Sequence, residues 1–267
     1  MKWMSLMVLL LLACHPNIHL ATPERNSTTG GNAFYKNCFP FNWQQRDSAV
    51  VQELLSGNLP SFLTKMVPVR VSVTDSLSGK IIRATFYAMP DYLSVGTDRD
   101  WVRINITPMA AQRIADTFNC FLPTRKMVDD MYKASSVKLE PIPMYAFRDS
   151  TPTMYQHHLI IEGQRNGKKG LIAGIKKDVV ISGKISRDGR PARVAIYGWH
   201  KPDGLPIQPL YTGHVNWWVD YSQGIRLVYR KIKVDDKWLD YIDILNDPVL
   251  KKLLCDEQYC DFYKYPY

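Results

Sequence analysis

Between residues 197 and 226 the chain gathers side chains that move protons, attack carbonyls or grip polar ligands. The run is Tyr197-Gly198-Trp199-His200, then His214, then Trp217-Trp218-Val219-Asp220-Tyr221-Ser222-Gln223-Gly224-Ile225-Arg226. Histidine is the side chain whose ordinary pKa lies nearest neutrality, so His200 or His214 is the candidate general base. Asp220 would orient the imidazole, and Ser222 or a water would be the nucleophile. Arg226 suits bidentate capture of a substrate carboxylate. Trp199 would support a sugar or stem-peptide face, and Lys177 is a further candidate for substrate binding. The competing reading of 220–226 is a β-bulge around Gly224 with Arg226 on a solvated face.

Positioning these groups falls to the strands and helices around them. Alternation of Val69, Val71 and Val73 with Arg70, Ser72 and Thr74 predicts a strand over 67–74, returning as a hairpin over 81–89. A strand is expected over 101–106, and a helix over 48–55 behind Asp47 and Ser48. Thr107-Pro108 and Thr124 predict caps of two helices ending near residues 118 and 134. Pro141 to Pro152 is the candidate internal boundary. Beyond it, strands are predicted over 155–162, 170–175, 178–185, 193–199 and 219–233, with two short helices over 235–245 and 248–254. The expected fold class is α+β, a mixed, mostly antiparallel β-sheet with two pairs of short helices.

A strand end at Trp199-His200, followed some twenty residues later by Ser222-Gln223-Gly224-Ile225-Arg226-Leu227, resembles the L,D-transpeptidase family of cell-wall crosslinking enzymes. That family carries Ser-His-Gly-Cys-Ile-Arg; here Gln223 replaces the histidine and the nucleophilic cysteine is missing. The resemblance implies a related cell-wall pocket without that family's thiol chemistry. Two other chemistries compete for the same residues. His158, Asp178 and His200 form a candidate zinc set, since catalytic zinc commonly takes three N or O ligands, although no HExxH-type spacing supports it. Cys120, near the start of the second of the capped helices, would be a thiol nucleophile in the Cys-then-His order of papain-like hydrolases.

The N-terminus points to export. Lys2, an apolar run over 6–12 and Ala13-Cys14 read as a secretory signal, too short for a membrane span. Leu11-Leu12-Ala13-Cys14 resembles the lipobox of bacterial lipoproteins, with Cys14 as the lipidated residue; the alternative is ordinary cleavage near Ala21. Residues 15–33, polar and without periodicity, would be a flexible tether, followed by a single α+β domain over 34–267. Five cysteines less Cys14 leave an even set, so disulfides Cys255–Cys260 and Cys38–Cys120 are expected, the second competing with a free Cys120. A net charge of +9 favours an anionic partner, and dispersed Lys and Arg with no recognisable motif argue against nucleic acid. The expected protein is an exported, lipid-anchored envelope hydrolase directed at peptidoglycan. Its rivals are a non-catalytic lipoprotein holding cell-wall polymer or acidic glycan, and a zinc-dependent hydrolase using the same histidines.

Overall fold

Three hydroxyl caps start the helices that frame the reactive region. Thr107 accepts from the Ala110 N–H at the head of Pro108–Thr117, and Thr124 from the Met127 N–H at the head of Arg125–Ala134. Ser150 accepts from the Thr153 N–H at the head of Thr151–Arg165, with a proline in the first turn. Each cap satisfies one of the amide donors that a helix start leaves unpaired. These elements come from a computed structural model that describes residues 16–27 and 29–267; the expected lipidation at Cys14 and the expected signal segment fall outside the described residues.

Two sheets carry most of the β-structure. The larger has six strands: Val67–Thr74 pairs with Ile81–Ala88 as the expected hairpin, and Lys237–Asp240, Lys231–Val234, Val228–Tyr229 and Cys120–Phe121 complete it. The smaller is ordered Pro206–Tyr211, Ala195–His200, Lys177–Val180, Gln223–Gly224, with its last pair parallel. Chain 223–234 passes from the smaller sheet into the larger, so the predicted single strand over 219–233 is three short pieces. Two further two-stranded sheets, one antiparallel and one parallel, lie beside them.

The expectation of one mostly antiparallel sheet with two pairs of short helices is therefore wrong. Among the described residues there are eight α-helices and four sheets of mixed strand direction. The largest error falls on 155–162, which lies within the 15-residue helix Thr151–Arg165. Its buried residues Thr151, Met154, Tyr155, His157, His158 and Ile161 cluster on one helical side, and Ser150 with Pro152 is the start signal that reading Pro141 to Pro152 as a boundary missed. Likewise 178–185 is a strand only to Val180, after which Ser182 caps a short helix.

One continuous apolar cluster runs from Leu20 to Tyr265. The presumed tether contributes to it. His19 forms a β-bridge with Lys65, the Leu20 N–H donates to the Thr64 carbonyl, and the Leu20 side chain is buried. Arg25 reaches the carbonyls of Leu59 and Gly96. Residues 18–25 thus lie on the body, where apolar side chains and backbone pairing hold them. Among the described residues no helix is long and apolar enough to cross a membrane.

Candidate functional site

The strand Lys177–Val180 organises the reactive residues because successive side chains on a strand point to opposite faces. Lys177 lines an open cleft of about 320 Å³ with Arg148, Gln208, Tyr211, His214, Trp218 and Asp220. Its neighbours Lys176 and Asp178 line a small inner hollow with Tyr92, His200 and Arg226. Gly224 permits the tight layering between them: a Cβ there would stand 2.6 Å from the Tyr92 ring and 2.8 Å from the Lys176 Cβ.

In the cleft, Asp220 is the hub. Its Oδ1 accepts from the Ser222 N–H at 2.9 Å and from the Ser222 hydroxyl at 2.5 Å. Its Oδ2 accepts from Arg148 at 3.0 Å and faces the Lys177 ammonium at 3.9 Å. Lys177 also lies over the Trp199 ring, 5.3 Å from its centre. Burial pushes the Lys177 pKa down, and Asp220 pushes it back up.

His214 is half-buried at the cleft wall, edge-on to Tyr211 with 5.1 Å between ring centres and facing Trp218 at 6.1 Å. No protein group among the described residues hydrogen-bonds its ring nitrogens. Burial lowers its pKa below the usual histidine value; Asp220 works against that, while Lys177 and Arg148 add to it. The net shift favours the neutral imidazole, the form a general base requires.

His200 belongs to the other hollow. Its Nε2 meets Asp129 Oδ1 at 2.8 Å, and its ring stacks on Tyr132 with centres 4.5 Å apart. Arg226 is no free clamp: its two terminal nitrogens donate to the carbonyls of Met89 and Ile172, and its guanidinium covers Tyr92 at 4.3 Å. Ser222 is fully buried with its hydroxyl on Asp220, so the expected constellation of His200, His214, Asp220, Ser222 and Arg226 in one cleft is corrected. His214, Asp220 and Lys177 converge there; His200 and Arg226 do not, and Trp199 touches the site only beneath Lys177.

Charges fill the inner hollow and its surroundings. Asp178 Oδ2 accepts from the Tyr92 hydroxyl at 2.8 Å while its Oδ1 accepts no hydrogen bond and lies 3.9 Å from Arg226 Nε; burial pushes its pKa up to about 6, and Arg226 works against that. Lys176 donates to the Tyr221 carbonyl at 2.5 Å and lies 3.2 Å from His157 Nδ1; burial pushes its pKa down to about 7. Arg103 holds Asp91 through two bonds and pairs with Glu162 at 2.8 Å. His158 accepts from the Arg103 backbone N–H and packs edge-on to Trp101. The suggested zinc set is thereby split, since His158 sits in the Arg103 cluster while Asp178 and His200 line the hollow. Among the described residues no group of three or more His, Cys, Asp or Glu side chains is placed to hold a metal ion.

The disulfide Cys255–Cys260 is formed, with Cα atoms 6.3 Å apart. The expected Cys38–Cys120 bridge is not: both cysteines are buried free thiols. Burial pushes the Cys38 thiol up to about 11 and the Cys120 thiol higher still, the opposite of what a nucleophile needs. Cys120 lies in a strand of the larger sheet, bonded to the Phe118 carbonyl, and lines neither hollow.

Reading the sequence alone missed Arg148, Gln208 and Tyr211 as cleft residues, and Lys176 as a buried amine. Lys176-Lys177-Asp178 set between Leu171–Ile175 and Val179–Ile181 is the one usable signal, because charges inside an apolar run are forced inward. Nothing local marks Arg148. Comparison of the chain with family models, with curated proteins and with solved structures finds no match in any of the three.

Proposed function

We propose that the chain is an exported, lipid-anchored hydrolase of the bacterial cell envelope, with its reacting centre in the cleft around His214. The observation that carries this reading is the meeting in one open cleft of a histidine whose ring nitrogens bond no described protein group and whose pKa is lowered, a buried aspartate and two cations. His214 takes a proton from a water as the water oxygen attacks the scissile carbon, and returns it to the departing group. Lys177 stabilises negative charge as it develops, as a fixed cation does in a partly dry site. Arg148, half exposed, receives an anionic group of the substrate. Water replaces Ser222 as the nucleophile because the serine hydroxyl is already donated to Asp220.

The test is release of soluble fragments from purified cell-wall polymer by the wild-type chain and by His214→Ala. The reading expects turnover in the first and a loss of at least about a hundredfold in the second, the usual scale of general-base catalysis. Equal turnover by a folded His214→Ala chain would end it. A second reading, a glycan-binding protein without turnover, is favoured by the saturation of Asp220 and Ser222 by each other; it expects binding of the polymer and no release by wild type.

A further inference from the structure

Two of the chain segments that line the cleft also carry exposed aromatic rings. Tyr145 is 90% exposed and Phe147 81%, immediately before the cleft residue Arg148. Tyr211 is 44% exposed and Trp217 46%, on the segment that bears His214 and Trp218. Other exposed aromatics have work in the fold: Trp238 stacks on Tyr87, and Tyr259 covers the Arg187 guanidinium. Tyr145, Phe147 and Trp217 pair with no ring and no cation among the described residues.

The backbone holds the first pair outward. The Met144 N–H donates to the Tyr221 hydroxyl at 2.7 Å, and the Tyr221 N–H donates to the Arg148 carbonyl at 2.8 Å. Between these two pins, residues 145–147 bow away from the body. Phe147 has φ of +47°, a left-handed conformation uncommon for a bulky residue. Surface rings scattered singly need no explanation, but four on two segments that line one cleft do.

From these observations we propose that the rim formed by Tyr145, Phe147, Tyr211 and Trp217 receives the sugar rings of an acidic glycan, with its carboxylate seated between Arg148 and Lys177. This rests on the cleft being the substrate site and names the class of substrate. Flat rings match the apolar faces of pyranoses. Two cations against the single carboxylate of Asp220 leave the cleft net positive, and Arg148 meets Asp220 through one terminal nitrogen only. A peptide fits less well. Pro206–Tyr211 is the edge strand beside the cleft, but Pro206 and Pro209 remove amide donors and its register shifts between Gln208 and Tyr211, so it makes a poor template for an added strand.

The experiment is calorimetric titration of the whole chain with a six-residue uronic-acid oligomer, a neutral glucose oligomer of equal length, and an oligoglutamate. The acidic sugar is expected to bind at least about tenfold more tightly than either control. A Tyr145→Ala/Phe147→Ala double variant should weaken it about tenfold at an unchanged melting temperature, since two stacked rings contribute on that scale. Arg148→Gln should erase the preference for acidic over neutral sugar. Wild-type affinity in the double variant, oligoglutamate binding as tight as the uronic acid, or no binding of any probe would each overturn the proposal. Failure of the hydrolase reading is separable: His214→Ala should still bind the uronic-acid oligomer, and a chain that binds it through the rim yet releases nothing from cell wall retains the rim and loses the hydrolysis.

Discussion

Asp220 divides its carboxylate between Ser222 on one oxygen and Arg148 with Lys177 on the other, and this division separates a serine mechanism from a water mechanism. Ser222→Ala removes one charge-assisted bond from a buried carboxylate, a cost of about 1.5–3 kcal/mol. The variant should lose that much stability in denaturant titration while turnover per folded molecule stays within several-fold of wild type. A loss of turnover as deep as that of His214→Ala would restore Ser222 as the nucleophile. The pH dependence is set by His214. Burial and two cations hold its pKa below the ordinary value, so the acid limb of the rate profile should lie below pH 6.5. Arg148→Gln removes one of the lowering charges, and the limb should move toward neutrality; a limb unmoved by that change would show that His214 is not the titrating base. His200→Ala should instead lower the melting temperature, through loss of the Asp129 bond and the Tyr132 stack, with cleft turnover per folded molecule unchanged.

At the scale of elements, the strand Lys177–Val180 and the residue before it place ionisable groups on both faces, and their titrations pull stability in opposite directions. Asp178 has its folded pKa raised to about 6 from an unfolded value near 3.8. Its contribution is present in full below the unfolded value and is lost as pH rises through the folded one. Asp178→Asn should therefore flatten a fall in unfolding free energy between about pH 4 and pH 6. Lys176 has its folded pKa lowered to about 7 from 10.5, so stability is gained as pH rises from about 7 toward 10.5 and lost as pH falls through 7. Lys176→Met should remove that rise, read from denaturant midpoints across the range; an unchanged slope would mean that the amine stays charged in the folded protein. The same strand shows what was legible in the sequence. Caps announced themselves at Thr107 and Thr124 because capping is local, and the 67–88 hairpin did so because alternation is local. The helix Thr151–Arg165 also carried a local start signal in Ser150 and Pro152, whereas the division of 219–233 between two sheets depends on packing against distant chain, which period counting over a short window does not sense. The cleft was legible in part for the same reason. His214 and Asp220 are six residues apart, whereas Arg148 and Lys177 arrive from other elements.

At the scale of the whole molecule, the Cys255–Cys260 bridge closes a short loop whose Glu257 accepts from Ser182 and whose Asp256 pairs with Arg125. A loop of that length limits the entropic gain, so a Cys255→Ser/Cys260→Ser variant should lose about 2 kcal/mol in denaturant titration, with turnover in the cleft unaltered. A much larger loss would mean that the loop holds the helices beneath it as well as its own ends. The antiparallel bridge of His19 to Lys65 bears on quite another matter, the freedom of the body above a bilayer. Only four peptide units separate Cys14 from Ile18, whose carbonyl already receives the Met66 N–H. Fully extended, that leash measures at most about 14 Å. A lipid on Cys14 would then moor the protein at a berth beside Lys65 and Met66 instead of letting it swing on a long cord, and polymer would have to come within reach of the cleft at a nearly fixed height and heading.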